Sequence, residues 1–172
     1  PLPLWIMSET ARGLLDADDV YGCSRQIAGV IMGTSDLARE LRIPHTPGRE
    51  GLLHLLSHCV VAARAHGLEI IDGVHLNFRD LDEFQAHCVQ GRTLGFDGKS
   101  LIHPSQISVC NQVFSPSDTE IEQAREIIQA WQTALQNGEG VCVVNGRLVE
   151  NLHVDEARRT LELAEAIGNL AL

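Results

Sequence analysis

Apolar residues follow two alternating patterns along roughly the first hundred positions of the chain. Short apolar runs predict buried strands, and segments with apolar residues at three- and four-residue spacing predict amphipathic helices. The predicted strands are Leu4–Met7, Gln26–Met32, Leu68–Ile71 and Gly95–Lys99. Because helical segments separate these strands, the pattern predicts an α/β fold with a parallel sheet and right-handed crossovers.

The clearest helical pattern covers residues 51–66, followed by Gly67 at a position typical of a helix C-cap. Its apolar residues are Leu52, Leu55, Leu56, Cys59, Val60 and Ala63. Further helices are predicted after the second strand, from Leu37 to Leu41, and around Leu81–Gln90. Four strand–helix units make half of a barrel, which would leave two open sheet edges and an uncovered core.

The last third of the chain predicts a helix, a hairpin and a second helix. Ser117–Glu120 has the pattern of a capping box, and Asn137–Gly138 ends the helix that it opens. The expected apolar face of that helix consists of Ile121, Ala124, Ile128, Trp131 and Leu135. Asn145–Gly146 between two apolar runs predicts a two-residue hairpin, and a last helix is expected from about Val154 to Leu170. We therefore expect a half-barrel domain at 1–113 and a helix–hairpin–helix extension at 114–172.

Composition and charge exclude several classes of function. The chain has 172 residues, 44% of them hydrophobic and 21% charged, which is typical of a globular domain. Its formal net charge of -10 disfavours nucleic-acid binding. The five cysteines are scattered and odd in number, which argues against a disulfide framework or a zinc knuckle. No apolar run is long enough to span a membrane and no signal sequence opens the chain, so we expect a cytoplasmic protein without a membrane partner.

Two acidic residues stand directly after predicted neighbouring strands. Glu9 follows the first strand and Asp36 follows the second. In a parallel barrel, functional groups lie at the carboxyl ends of the strands, where two carboxylates can share a hard cation such as magnesium. Two other interpretations remain open at this stage. Asp36 could cap the helix that follows it, and Glu9 could pair with Arg12.

The segment 91–106 is rich in glycine and polar residues at the fourth predicted strand end. Gly95 and Gly98 permit close backbone approach, and Lys99 offers a charge for a phosphate group. The alternative is a strand, a turn and a helix started by Pro104, with a solvated lysine. The eight histidines do not form a metal-spaced motif, since the pair His54 and His58 lacks the neighbouring glutamate of a zinc protease helix.

A series of motifs resembles the CoA-ester lyases grouped with the citrate lyase β subunit in the HpcH/HpaI aldolase family. In chain order the motifs are Ile6–Thr10, Met32–Ala38, Ile71–Val74, Gly95–Lys99, Ile102–Gln106, Phe114–Ser117 and Gly146–Glu150. The resemblance extends over essentially the whole chain, and the block from Gly95 to Gln106 is its most specific part. Within the group the chain looks most similar to malyl-CoA, β-methylmalyl-CoA and citramalyl-CoA lyases.

This resemblance implies a fold, a cofactor and a reaction. It implies a (β/α)8 barrel to which this chain contributes about the last four units, usually as a homotrimer. It implies Mg2+ held by Glu9 and Asp36, and cleavage of a 3-hydroxyacyl-CoA into acetyl-CoA or propionyl-CoA and a 2-oxo acid. The residues expected to bind the substrate or its CoA moiety are Gly33, Thr34, Ser35, Lys99, Ile102, His103 and Pro104. The family's N-terminal half, with a substrate-binding arginine, has no counterpart in this chain.

Relatives deliver a catalytic aspartate to the active site of an adjacent subunit from the segment after the barrel. That motif usually reads valine-aspartate-x-proline, whereas this chain has Val149-Glu150-Asn151-Leu152. Glu150 is one methylene longer and the proline is absent, which changes the reach of the carboxylate. The resemblance makes Glu150 the candidate acid that protonates the acyl-CoA enolate. The alternative is a solvated glutamate at the end of a hairpin.

Three other functions fit the same motifs. A citrate lyase β subunit would act on an acyl carrier protein within a larger complex. A malyl-CoA thioesterase would use the same fold and metal to hydrolyse the thioester. A non-catalytic CoA-ester-binding relative stays open as an alternative because of the glutamate at position 150 and the missing N-terminal half.

Overall fold

The first unit of the protein is built on a four-stranded parallel sheet. The computed structural model describes residues 2–170. Strands β1 (Leu4–Ser8), β2 (Ile27–Met32), β3 (Glu69–Asp72) and β4 (Gly98–Lys99) pair in that order. Every neighbouring pair is parallel. The predicted α/β fold with a parallel sheet is therefore confirmed, and closure into a barrel stays a prediction.

Helices connect successive strands of this sheet, and one further helix, α6, follows the last strand. They are α1 (Ala11–Leu15), α2 (Ala17–Gly22), α3 (Thr34–Leu41), α4 (Leu53–Ala65), α5 (Leu81–Leu94) and α6 (Ile107–Phe114), with a 3-10 turn at Pro104–Gln106 before α6. The predicted helix over 51–66 is α4, and Gly67 follows it with a positive φ of 67°. Helices α1 and α2 were not predicted, because segments of five and six residues are too short to show helical periodicity.

The fourth strand is shorter than predicted. The sequence indicated a strand over Gly95–Lys99, but Gly95 has φ 97° and ends α5 with its N–H bonded to the carbonyl of Arg92. The first hydrogen bond to the neighbouring strand follows two residues later, where the N–H of Asp97 donates to the carbonyl of Ile70 at 2.9 Å. The left-handed conformation of Gly95 thus ends the helix at a position that the apolar pattern assigned to the strand, and the strand begins only at Gly98.

The two faces of the sheet have different environments. Alternate residues such as Val30, Met32 and Ile70 are buried in the main apolar core, together with residues from the covering helices. On the opposite face, Trp5 is 46% exposed and Met7 is 58% exposed. Large apolar residues that lie together on one sheet face are normally covered. Further strands that close the sheet, as the resemblance predicts, would account for this exposed face.

Residues from Ser115 onward form a second compact unit. It contains α7 (Asp118–Gln136), a hairpin of β5 (Cys142–Val144) and β6 (Arg147–Val149), and α8 (Asn151–Leu170). The capping box at Ser117 is present in full, and the turn residues Asn145 and Gly146 both have positive φ, as a type I′ turn requires. Trp131, Val149 and Val154 form its small core.

Two details of this second unit differ from the sequence prediction. Leu135 is 55% exposed, and Ala134 is buried in its place. Helix α8 begins at Asn151 rather than near Val154, because the carbonyl of Glu150 already accepts from the N–H of His153 at 3.0 Å. Within residues 2–170, no helix combines the length and the apolar character needed to cross a bilayer.

Candidate active site

Glu9 lies against the end of the neighbouring strand. Ser8 is paired with Met32 in the sheet, and the N–H of Gly33 donates to the carbonyl of Ser8 at 2.9 Å. Glu9 and Gly33 are thus the next residues along adjacent strands. A Cβ atom added to Gly33 would collide with the Cβ of Glu9 and would lie 2.7 Å from its Oε2. Glycine at position 33 therefore leaves the space that the Glu9 carboxylate occupies.

Asp36 lies in the first turn of α3, close to the same sheet edge. Gly33 is the N-cap of this helix and no side chain caps it, so the alternative that Asp36 acts as the cap is wrong. Asp36 forms an ion pair with Arg39 at 2.7 Å, and its side chain is 49% exposed. Within the described residues Arg12 pairs with Asp16 at 3.4 Å and no ion pair involves Glu9. The alternative that Glu9 pairs with Arg12 is therefore also wrong.

The turn between β2 and α3 contains an unsatisfied hydroxyl group. Ser35 Oγ is buried without a hydrogen-bond partner, and Thr34 is 5% exposed. Thr34 packs against the backbone of Gly73, where a Cβ atom would collide with its Oγ1. The structure thus brings Glu9, the α3 N-terminus and the end of β3 to one edge of the sheet. An oxygen donor set and free N–H groups at a helix start suit a hard cation and an anionic ligand.

Lys99 has a buried position that the sequence did not predict. Its side chain has no exposed surface, and its Nζ lies 2.7 Å from Asp72 Oδ2. The ammonium group also donates to the carbonyl of Gly73 at 2.6 Å. Burial lowers the pKa of Lys99, and the neighbouring Asp72 carboxylate opposes that shift. The alternative of a solvated lysine is wrong, and this geometry disfavours the predicted contact between Lys99 and a phosphate.

Asp72 is shared by a second buried cation, Arg49. The Arg49 guanidinium donates through one nitrogen to both carboxylate oxygens of Asp72, each at 2.8 Å. Its Nε donates to Gln90 Oε1 at 2.7 Å, and the N–H of Gly73 donates to Asp72 Oδ1 at 2.8 Å. Two cations thus share one anion in the layer between sheet and helices. Sequence reasoning missed this cluster, although an aspartate ending an apolar strand signals a buried carboxylate that requires a partner.

Ile102, His103 and Pro104 lie in an exposed loop that a buried glutamine side chain anchors. Gln106 is fully buried, accepts from the N–H of Ile102 at 3.0 Å, and donates to the carbonyl of His75 at 3.1 Å. His103 stacks on Phe78 with ring centroids 4.6 Å apart. Pro104 begins the 3-10 turn, as expected. This arrangement leaves Ile102 and His103 accessible to a ligand, and their predicted role in binding CoA stays a prediction.

Two buried histidines, His75 and His87, lie in contact with each other. His75 Nδ1 lies 3.2 Å from His87 Nδ1, and His87 Nε2 donates to the carbonyl of Pro47 at 2.8 Å. Burial, and then the nearby Arg49 charge, lowers the pKa of His87 to about 4. His87 is therefore neutral at pH 7. The sequence offered no signal for this pair, because the two histidines do not share a helix.

Glu150 ends the hairpin and precedes α8 in the second unit. Its residue is exposed, its N–H donates to His153 Nδ1 at 3.0 Å, and its carbonyl accepts from the start of α8. These are backbone contacts, which leave the carboxylate available. Its catalytic role stays a prediction.

Similar proteins are known for nearly the whole chain. A (3S)-malyl-CoA thioesterase from Cereibacter sphaeroides is 52% identical over 167 residues, which are 97% of this chain and 58% of that protein. A citrate lyase subunit beta from Haemophilus influenzae is 34% identical over 92% of this chain and 54% of its own length. The chain therefore spans a little over half the length of these relatives.

A solved structure and a family model agree with these relatives. Protein CitE from Mycobacterium tuberculosis, crystallised with magnesium, acetoacetate and coenzyme A, matches with a TM-score of 0.80 and 28% identity. That match covers 96% of this chain and 62% of CitE. The family model described as HpcH/HpaI aldolase/citrate lyase matches residues 1–104. The family predicted from the motifs is confirmed: this chain belongs to the HpcH/HpaI aldolase/citrate lyase family.

Proposed function

We propose that the complete protein is a magnesium-dependent enzyme that cleaves a 3-hydroxyacyl-CoA of the malyl-CoA type into acetyl-CoA or propionyl-CoA and a 2-oxo acid. The main support is the placement of the Glu9 carboxylate against Gly33, beside a helix start with an unpartnered Ser35 hydroxyl. The relatives named for malyl-CoA, at 51–52% identity, support this class of substrate.

The proposed magnesium ligands are Glu9 and Asp36. Both offer carboxylate oxygens, which magnesium prefers, at adjacent strand ends. Asp36 would leave its ion pair with Arg39, which costs little because the Asp36 side chain is about half exposed and that of Arg39 is mostly exposed. Bound there, the metal would supply Lewis-acid polarisation of the substrate oxygens. The magnesium in the CitE structure supports this choice of ion.

The start of α3 is the proposed site for the acid end of the substrate. The N–H groups of Thr34 and Ser35 precede the first intrahelical bond, and the helix dipole favours an anion at this end. The Ser35 hydroxyl could donate to the same carboxylate. Ile102, His103 and Pro104 would contact the CoA moiety from their exposed loop.

Cleavage of the carbon–carbon bond leaves an acyl-CoA enolate that must gain a proton at carbon. We assign this proton to Glu150 of an adjacent subunit in a homotrimer, with the missing barrel half supplied by the rest of the protein. The exposed carboxylate of Glu150 and its place at a helix start are compatible with reaching another molecule. The additional methylene of glutamate changes its reach, to which catalytic rates are sensitive.

Thioester hydrolysis is a second candidate reaction. The specific observation in its favour is the name of the relatives at 51–52% identity, which are (3S)-malyl-CoA thioesterases. In this reaction water attacks the thioester carbonyl, and the products are free malate and CoA. Citrate lyase β relatives are more distant, at 34% identity, and make action on an acyl carrier protein a weaker candidate.

Product analysis separates these reactions. The complete gene product is incubated with malyl-CoA, β-methylmalyl-CoA or citramalyl-CoA, with Mg2+ or a chelator, and the products are identified by mass spectrometry. We expect magnesium-dependent release of acetyl-CoA or propionyl-CoA with a 2-oxo acid. Malate and free CoA without glyoxylate would establish hydrolysis instead. Folded protein that is inactive on all three esters would contradict both reactions and favour a carrier-protein substrate or a binding role.

Variants of the metal ligands test the site itself. Glu9→Gln and Asp36→Asn should each abolish magnesium-dependent turnover while the protein stays folded. Glu165→Gln is the matched control, because Glu165 is exposed on α8. Turnover that survives in Glu9→Gln would show that the metal lies elsewhere.

A further inference from the structure

A second group of metal-binding side chains lies outside the proposed magnesium ligands. One ligand atom each from His75, Glu83 and His87 lies within 4.8 Å of the other two. His75 follows β3, while Glu83 and His87 are one turn apart on α5. Both histidines are buried, at 4% and 7% exposure, so these are not surface groups that happen to be near each other. We call this group the His75–Glu83–His87 cluster.

The hydrogen bonds of His87 determine which of its nitrogens is free. Its Nε2 lies 2.8 Å from the carbonyl of Pro47, which can only accept, so Nε2 carries the proton. The lone pair of His87 is therefore on Nδ1, which faces His75 Nδ1 at 3.2 Å. A ring N–H donated to a backbone carbonyl is the usual second contact of a metal-bound histidine, because it fixes the tautomer and the ring orientation.

The spacing of the two Nδ1 atoms suits a shared metal ion. Metal–nitrogen distances of about 2.0–2.1 Å in tetrahedral geometry place two ligand nitrogens about 3.3 Å apart. The observed separation is 3.2 Å, and the rings are nearly perpendicular at 88°.

Glu83 supplies the negative charge of the cluster. In the structure its Oε1 lies 3.8 Å from the protonated Nε2 of His87, so the carboxylate must turn toward Nδ1 to bind the ion, and its side chain is 29% exposed. A partly exposed glutamate can rotate toward an entering ion and offers a path from solvent. Its charge also offsets repulsion from Arg49, whose guanidinium lies 3.4 Å from the carbonyl of His87.

We propose that the His75–Glu83–His87 cluster binds a late first-row divalent cation of the zinc class, with water in the remaining position. Two imidazole nitrogens select zinc, cobalt or nickel over magnesium, which prefers oxygen ligands. The bound ion would join the segment after β3 to α5. The site is separate from Glu9 and Asp36, so its occupancy does not depend on the proposed function.

Cobalt titration of the chelator-treated complete gene product tests this proposal. Excess Mg2+ fills any oxygen site, and visible absorption then reports Co2+ in a low-coordinate nitrogen site. We expect about one equivalent of Co2+ per chain, displaced by Zn2+ and not by Mg2+. X-ray absorption of the zinc form should show two imidazole ligands at about 2.0–2.1 Å. This measurement needs no variant and therefore no assumption about the folding of one.

Variants locate the ion. His87→Gln and Glu83→Gln should weaken Co2+ binding by about 100-fold or more, since losing even an outer-shell partner costs about 10–100-fold. His54→Gln is the matched control, because it removes a histidine of the exposed pair on α4. Glu9→Gln should leave the cobalt spectrum unchanged even if it abolishes turnover. Binding lost in His54→Gln and kept in Glu83→Gln, or only weak octahedral cobalt, would overturn the proposal.

Discussion

Asp72 lies between two buried cations, and its replacement by asparagine removes the charge that compensates them. Arg49 and Lys99 both contact its carboxylate, at 2.8 Å and 2.7 Å. Asparagine keeps the size of the side chain but turns one acceptor oxygen into an amide donor that faces another donor. The variant therefore leaves two unpaired positive charges in a dry environment.

The expected cost is about 3–5 kcal/mol, the range for removing one partner of a buried ion pair. Lys99→Met should cost less, about 1–3 kcal/mol, because Arg49 and Asp72 remain a balanced pair and mainly hydrogen bonds are lost. Asp155→Asn is the surface control. Asp155 pairs with Arg158 at 3.1 Å, and both side chains are more than half exposed, so less than about 0.5 kcal/mol is expected.

Urea unfolding of the complete gene product, followed by far-UV circular dichroism, measures these differences. Protein concentration is held constant so that any assembly affects all variants equally. With a slope of about 2 kcal/mol per molar urea, Asp72→Asn should lower the midpoint by about 1.5–2.5 M. The predicted order of destabilisation is Asp72→Asn, then Lys99→Met, then Asp155→Asn.

Two outcomes would refute this reasoning. If Asp72→Asn unfolds at the same urea concentration as Asp155→Asn, the buried charges are not compensated by Asp72. If Lys99→Met lowers the free energy of unfolding more than Asp72→Asn does, then Asp72 does not stabilise the fold by compensating the charges of Arg49 and Lys99.

Three further variants test other parts of the structure. Gly33→Ala should lower kcat by about 100-fold without unfolding the protein, because the added methyl group displaces Glu9. Gly168→Ala is the control and should keep full activity, because nothing lies within 4 Å of the added Cβ atom. Equal activity of the two variants would contradict the role of Gly33. Ser117→Ala removes the side-chain cap of α7 and should cost about 1 kcal/mol in urea unfolding, whereas an unchanged midpoint would show that the cap contributes nothing. Burial raises the pKa of Asp97, but its hydrogen bonds and ion pair lower it by more, to below its usual 3.8. The stability that ionised Asp97 contributes is therefore fully present above pH 3.8 and is lost as the pH falls below that value. In Asp97→Asn, the free energy of unfolding should thus fall less steeply with decreasing pH in the acid range. An equally steep fall in the variant would refute this.

The sequence by itself determined the elements whose signals are local. The hairpin turn at Asn145–Gly146 and the capping box at Ser117 depend on residues at most three positions apart, and both formed as predicted. The apolar periodicity of α4 and the alternation of strands and helices along the chain are local in the same sense. The family was also readable from short motifs, because each motif keeps its residues together along the chain.

The tertiary structure decided what lies between distant segments. Asp72 contacts Arg49 and Lys99 across 23 and 27 residues, and His75 meets His87 across 12. No periodicity or spacing predicts such pairs, because they depend on how helices pack on the sheet. That is why Lys99 looked like a solvent-facing or phosphate-binding cation in the sequence. In the fold its charge is buried, and the energy of burial is offset by a carboxylate from another strand.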